Sequence, residues 1–369
     1  MKKLMMIMAM VAVIALANSA MAAPHNFTNN TPGALWGTAG NWDVSPPTLP
    51  DIAGGETCNV GGVTSPTDAG VVQMNFTGTG LAALNITTSG TLTLGGLFAY
   101  ANPNPSVVTQ TSGTLHVGTS LGFRFGGYSP TGSGTATYNM NGGILQNDGW
   151  TFFGRDANNT GSFIQTAGAA TFGNGGAGDY FHIDSGAGDV GTGLYEISGG
   201  SMTINTAGEI GIGYNASVDA DAGAGTFRVD GSVAGGGPTA ITWTGTANVG
   251  GGGTNQGELE FIMDALGVTP ITLNGALNLI SSPLLTVDMS GLGPGVGNIP
   301  LILNDGGDAI VGTFSGLAEG APVGTYTLSY IGGDGNDLVL VGSSGAPVPE
   351  PAGLGLIGLA LLAVRRRRS

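Results

Sequence analysis

Along the middle of the chain, apolar and polar positions alternate in short runs that recur with a regular period. The hexads VTQTSG from Val108, YNMNGG from Tyr138, FIQTAG from Phe163, YEISGG from Tyr195 and FRVDGS from Phe227 start 30, 25, 32 and 32 residues apart. Aligned on those starts, Val108, Tyr138, Phe163, Tyr195 and Phe227 share one column. Gln110, Met140, Gln165, Ile197 and Val229 share the column two places on. Between them lie Thr109, Asn139, Ile164, Glu196 and Arg228, then Thr111, Asn141, Thr166, Ser198 and Asp230. This period of two predicts a strand with one buried face.

Each hexad closes on Gly or Ser, and a second alternating run follows: Leu115 and Val117, Leu145, Ala170 and Phe172, Met202 and Ile204. A third run holds Phe123 and Phe125, Phe153, Phe181 and Ile183, Ile210 and Ile212, before turn-rich stretches of variable length such as GRDANNTG. Three short strands with glycine corners in each repeat predict an all-β fold, a parallel β-helix or β-solenoid in which like strands stack from coil to coil. The competing architecture is a glycine-rich β-sandwich, which would also show short alternating strands. LNITTSGTLTLGG from Leu84 adds an earlier, less regular copy, and six coils at about 4.8 Å each would span about 30 Å.

The pattern divides the chain. Residues 23–80, with Trp36, Trp42, Pro46, Pro47 and Pro50, are expected to form an N-terminal cap over the first coil, and the repeats occupy 81–256. Residues 257–345 are expected to form a small antiparallel β domain, from the runs PLLTVDMSG, IPLILNDGG and TYTLSYIGGDGNDLVLVG.

Composition narrows the function classes. The 71 glycines among 369 residues suit a chain that must turn several times per repeat, because glycine takes positive φ without a Cβ clash. The 41% hydrophobic content is enough for a core. Between the terminal segments there are three basic residues, Arg124, Arg155 and Arg228, against 23 acidic ones, a net charge of −20. Nucleic acid is excluded as a partner, since phosphate binding needs clustered Lys or Arg. The same deficit opposes adsorption to anionic lipid and leaves cations and neutral polymers as candidate partners. Cys58 is the single cysteine, so no internal disulfide is expected, and it reads as a buried inert thiol.

Candidate chemistry is sparse. DYFHIDSGAGD gathers Asp179, His182, Asp184 and Asp189, and alternation places His182 and Asp184 outward on a solvated face. A polysaccharide hydrolase or lyase would use such a face, but Arg124 is two coils away and the residues read as solvated polar positions. No second histidine lies at ligand spacing, so neither a metal nor a cofactor is expected. GGDGNDLVL, with Asp334 and Asp337, fits one calcium-binding nonapeptide but also a glycine-rich hairpin turn, and the turn is the expected reading. Glu196 and Arg228 share an outward column of adjacent coils and are expected to pair. Trp36 and Trp42 could also stack on sugar rings.

Both termini carry addresses. Residues 1–22 hold Lys2, Lys3, an apolar run, and Ala20 and Ala22 at the positions a signal peptidase reads, so the mature chain is expected to begin at Ala23. At 346–369, Pro349, Glu350 and Pro351 precede an apolar, glycine-bearing stretch and then Arg365, Arg366, Arg367 and Arg368. The apolar stretch from 352 to 364 is about 20 Å as a helix, short for a hydrocarbon core of about 30 Å. The arginines would hold its end in the cytoplasm. This order resembles the PEP-CTERM sorting signal of Gram-negative surface proteins. The resemblance implies processing by an exosortase-type membrane enzyme, transient inner-membrane association through the C-terminal helix, and delivery to the outer surface or extracellular matrix. The expected function is therefore a structural or adhesive exported protein, not an enzyme, with exopolysaccharide as a candidate partner. The alternative is a carbohydrate-binding or polysaccharide-degrading β-helix protein.

Overall fold

The computed structural model describes residues 25–27, 43, 52–53, 57–61, 73–77, 82–99, 105–126, 134–155, 159–176, 178–184, 191–214, 224–233, 237–250, 256–305 and 307–342. Among them there is no helix, and the strands belong to a large, mostly parallel sheet. Within the repeats, strands pair in parallel with the equivalent strand one repeat later, so the alternation read in the sequence becomes columns of side chains.

The first column set runs without interruption through ten strands, from His25–Phe27 to Leu284–Asp288. Cys58, Leu84, Val108, Tyr138, Phe163, Tyr195, Phe227, Leu259 and Leu285 stand in one column. All of these but Leu285 are 0% exposed, and burying each large apolar side chain contributes about 1.5–3 kcal/mol. At its centre the rings stack face to face. Tyr138 and Phe163 are 4.8 Å apart at 5°, Phe163 and Tyr195 4.8 Å at 6°, and Tyr195 and Phe227 5.4 Å at 12°. That spacing is the distance between neighbouring strands, so parallel pairing in strict register itself sets the stack.

The second and third runs also fall into register. Leu92, Leu115, Leu145, Ala170, Met202, Ile241, Ile271 and Ile302 make one column. Phe125, Phe153, Ile183, Ile212, Val249 and Leu279 make another. Between the first and second runs the chain turns at Gly113, Gly143, Gly168 and Gly200, all with φ between 71° and 84°. A Cβ on Gly143, Gly168 or Gly200 would lie 2.1–2.6 Å from the carbonyl oxygen of the preceding corner glycine. Conformation and close backbone approach both demand glycine here.

Two expectations change. The parallel ladder already includes His25–Phe27 and Thr57–Gly61 and continues past residue 256, so it extends on both sides of 81–256. Leu284–Asp288 and Ile299–Asn304, expected to be antiparallel, pair in parallel with Glu258–Ile262 and Ile271–Asn274. Their apolar positions keep the inward columns of the repeats, and shared columns favour a shared direction. Antiparallel pairing is confined, among named strands, to Pro322–Val323, Tyr326–Gly332 and Asp337–Gly342, the last closing against Ile299–Asn304. An antiparallel sandwich does not describe this sheet.

Candidate functional site

The third strand of each repeat is short: Thr151–Phe153 and Phe181–Ile183 have three residues each. Inward residues Phe153 and Ile183 leave Phe152 and His182 pointing to the other face. In register, that outer column reads Arg124, Phe152, His182, Gly211, Asn248 and Asn278. Trp150, Tyr180 and Glu209 each precede the inward residue of three successive repeats and form a second outer column beside it.

These two columns make a connected assembly. The Arg124 guanidinium lies 4.6 Å from the Trp150 ring centre and 5.6 Å from that of Phe152, and Arg155 lies 4.8 Å from Phe152. Cations over ring faces are attracted by the ring quadrupole. Phe152 meets His182 edge to face at 5.3 Å, and Tyr180 lies 5.6 Å from the same imidazole. His182 Nε2 is 3.5 Å from Glu209 Oε2. Asn248 Nδ2 donates to Glu209 Oε1 at 2.7 Å, and Asn278 Nδ2 donates to Asn248 Oδ1 at 2.8 Å.

The solvated face expected at His182 and Asp184 is therefore corrected. His182 is 3% exposed, and Asp184 is fully buried. The missing side chain of Gly211 explains the first: a Cβ there would sit 2.9 Å from His182 Cδ2, so the imidazole occupies the space glycine leaves. Asp184 stands at the corner where Gly126, Gly154 and Gly213 stand in other repeats, with φ 48° against their 63–74°. Its N–H donates to the Phe153 carbonyl at 2.6 Å, as Gly154 does to Phe125 and Gly213 to Ile183. Asp184 is thus a corner residue, of a type that tolerates the left-handed region. Asp179 is buried and accepts the N–H groups of Asn174 and Gly176, closing a local turn. The three residues serve three different positions. Asp189 lies outside the described residues.

Arg124 is two repeats from His182 in register, as expected, but in the same column and joined to it through Phe152. The alternation pattern alone does not mark Trp150, Phe152, Arg155 and Glu209 as a site. Their signal is the common offset of Trp150, Tyr180 and Glu209 from the third-run residues, which becomes readable once the repeats are aligned there.

Elsewhere, Glu196 and Arg228 pair as expected, and Glu260 joins them. Arg228 donates to Glu196 Oε2 at 2.8 Å and to Glu260 Oε2 at 2.7 Å. Burial works against its charge, but the hydrogen bonds to Glu260 and Glu196 outweigh it and raise the guanidinium pKa. Asp337 sits at the hairpin between Tyr326–Gly332 and Asp337–Gly342, where its Oδ1 accepts the Asn304 N–H at 2.8 Å. Gly335 N–H closes the turn on Gly332 O, which favours the turn over the cation site for Asp334 and Asp337. Among the described residues no group of three or more His, Cys, Asp or Glu side chains could hold a metal ion. Cys58 is buried.

Ala20, Ala22, Trp36, Trp42, Pro349, Glu350, Pro351 and Arg365 to Arg368 lie outside the described residues. Among the described residues no helix is long and apolar enough to cross a membrane. Compared with protein-family models, curated proteins and solved structures, the chain matches none of them.

Proposed function

We propose that this chain is an exported surface or extracellular-matrix protein with a structural or adhesive role, and that its body is a β-solenoid with three short strands per coil. The observation that carries the reading is unbroken register: one inward side chain per repeat, stacked through ten strands from His25–Phe27 to Leu284–Asp288. At about 4.8 Å per step such a stack is about 43 Å long. It would present polar ladders outward: Asn59 Nδ2 donates to Asn26 Oδ1, and Asn85 Nδ2 to Asn59 Oδ1, both at 2.8 Å. A rod of this kind acts by display and attachment, not by chemistry.

The termini supply the route. The leader at 1–22 would start export. Pro349, Glu350 and Pro351, the apolar stretch and Arg365 to Arg368 would hold the chain briefly at the inner membrane for an exosortase-type enzyme. The test is protease shaving of intact cells that carry such an enzyme, comparing the natural chain with one in which Pro349, Glu350 and Pro351 are replaced by Ala. The natural chain should be cleaved from outside, and the variant should accumulate unprocessed in the inner membrane. Equal surface pools for the two would overturn the reading.

A further inference from the structure

We infer that the outer face around Trp150, Tyr180 and Arg155 is a binding site for an acidic polysaccharide, with pyranose rings stacked on the aromatics and their carboxylates held by arginine. The inference rests on the adhesive reading above and names its ligand class.

Charge placement is the first argument. The body holds three arginines against 23 acidic residues. Arg228 is held between Glu196 and Glu260. The other two, Arg124 and Arg155, converge on one ring, that of Phe152, at 5.6 and 4.8 Å. Among the described residues Arg155 makes no ion pair, and it is a partly exposed residue with its guanidinium over the ring. A guanidinium resting over an aromatic ring keeps its N–H donors free, where they can grip a carboxylate in a fork. The negative body would repel a polyanion at long range, but at physiological ionic strength that field fades within about 8 Å, and the Arg155 cation at the surface decides contact, with Arg124 buried behind it.

Ring geometry is the second. Trp150 and Tyr180 occupy the same register position in neighbouring repeats, since Thr151 faces Phe181 and Thr151 N–H donates to the Tyr180 carbonyl at 2.7 Å. Trp150 is partly exposed and Tyr180 is 39% exposed, on the outer side of the sheet. Two partly exposed rings one strand step apart offer apolar surface to the C–H faces of successive sugars, while their polar edges stay wet. Beneath them the platform is braced. His182 touches Tyr180 and Phe152 and is held in turn by Glu209, Asn248 and Asn278. A site braced in this way loses little freedom on binding.

The test measures binding of the purified full chain to polygalacturonate, with dextran as the neutral polymer, by calorimetry at physiological salt. The natural chain should bind polygalacturonate and not dextran. Arg155→Ala and Trp150→Ala should each weaken binding about tenfold or more, and Trp150→Phe should retain most of it. Both alanine variants should keep the natural circular-dichroism spectrum, which separates loss of the site from loss of the fold. Absence of polygalacturonate binding, equal binding of dextran, or unchanged affinity in both alanine variants would overturn the proposal. Those outcomes would leave the shaving experiment untouched, so the two readings fail separately.

Discussion

The inward column that carries Tyr138 and Tyr195 shows how a buried polar atom is tolerated at the residue scale. Each phenol hydroxyl donates to a glutamine of the preceding repeat: Tyr138 to Gln110 Oε1 at 2.5 Å, and Tyr195 to Gln165 Oε1 at 2.6 Å. Each glutamine then uses Nε2 on two carbonyls, Gly113 and Ile144 for Gln110, Gly168 and Ser201 for Gln165. Where the ring column holds Phe163 or Phe227, the preceding repeat has Met140 or Ile197. Hydroxyl and amide thus come and go together. Gln165→Leu should cost about 1–3 kcal/mol because it strands the Tyr195 hydroxyl. Adding Tyr195→Phe should recover a substantial part, a coupling that a double-mutant cycle from denaturant melts would read. Burial also pushes both phenols well above their ordinary pKa. A raised folded-state value means that this stability is intact below about pH 10, where an unfolded tyrosine titrates, and is lost as pH climbs towards the folded values. Phenolate absorbance of these two tyrosines should therefore rise together with unfolding, not before it.

At the element scale, the strands were legible because alternation and column identity reinforce each other over many repeats. Tyr138, Phe163, Tyr195 and Phe227 needed no structure to be grouped. The outer face was not legible, because alternation tells which way a side chain points and not whether something packs over it. His182 points outward and is buried all the same, since Gly211 in the next repeat leaves room for its ring. The direction of the terminal strands is not written in the pattern, since a single alternating run looks alike in parallel and antiparallel sheets. A further column is made of glycines: Gly161, Gly193, Gly225 and Gly257, each two residues before Phe163, Tyr195, Phe227 or Leu259. A Cβ on Gly225 would lie 2.1 Å from Ile183 O and 2.5 Å from Gly213 N, the two atoms that hydrogen-bond at the preceding corner. Backbone lines the space on both sides, so no side chain can yield. Gly225→Ala should cost about 3 kcal/mol in a thermal or denaturant melt, the upper part of the usual range for overpacking. A melt within experimental error of the natural chain would show that the corner opens freely.

At the scale of the whole molecule, a stack of parallel strands has two ends, and each end would template another copy unless something stops it. The N-terminal end is met by charge: Asp43 accepts both the backbone N–H and the side-chain amide of Asn26, and its own N–H donates to Asn26 O. At the C-terminal end, the column of second strands that ends at Ile299–Asn304 is met by a change of direction. Asp337–Gly342 pairs antiparallel with Ile299–Asn304 on one side and with Tyr326–Gly332 on the other, and Leu338 and Leu340 are fully buried in that closure. Tyr330 also fixes the Phe314–Leu317 turn that precedes the hairpin, receiving the Phe314 N–H and donating to Leu317 O. Without this hairpin, Ile299, Leu301 and Ile302, now at most 2% exposed, would line an open apolar edge with unpaired N–H and C=O groups. A chain lacking residues 322–342 should therefore associate end to end, seen in sedimentation velocity as species that grow with concentration while the natural chain keeps a constant size. Lysine placed at Ile302 in the same truncated chain should suppress that growth, because a buried or edge-facing ammonium opposes pairing with a second strand. If truncation leaves the sedimentation profile unchanged, the hairpin is not the element that ends the stack.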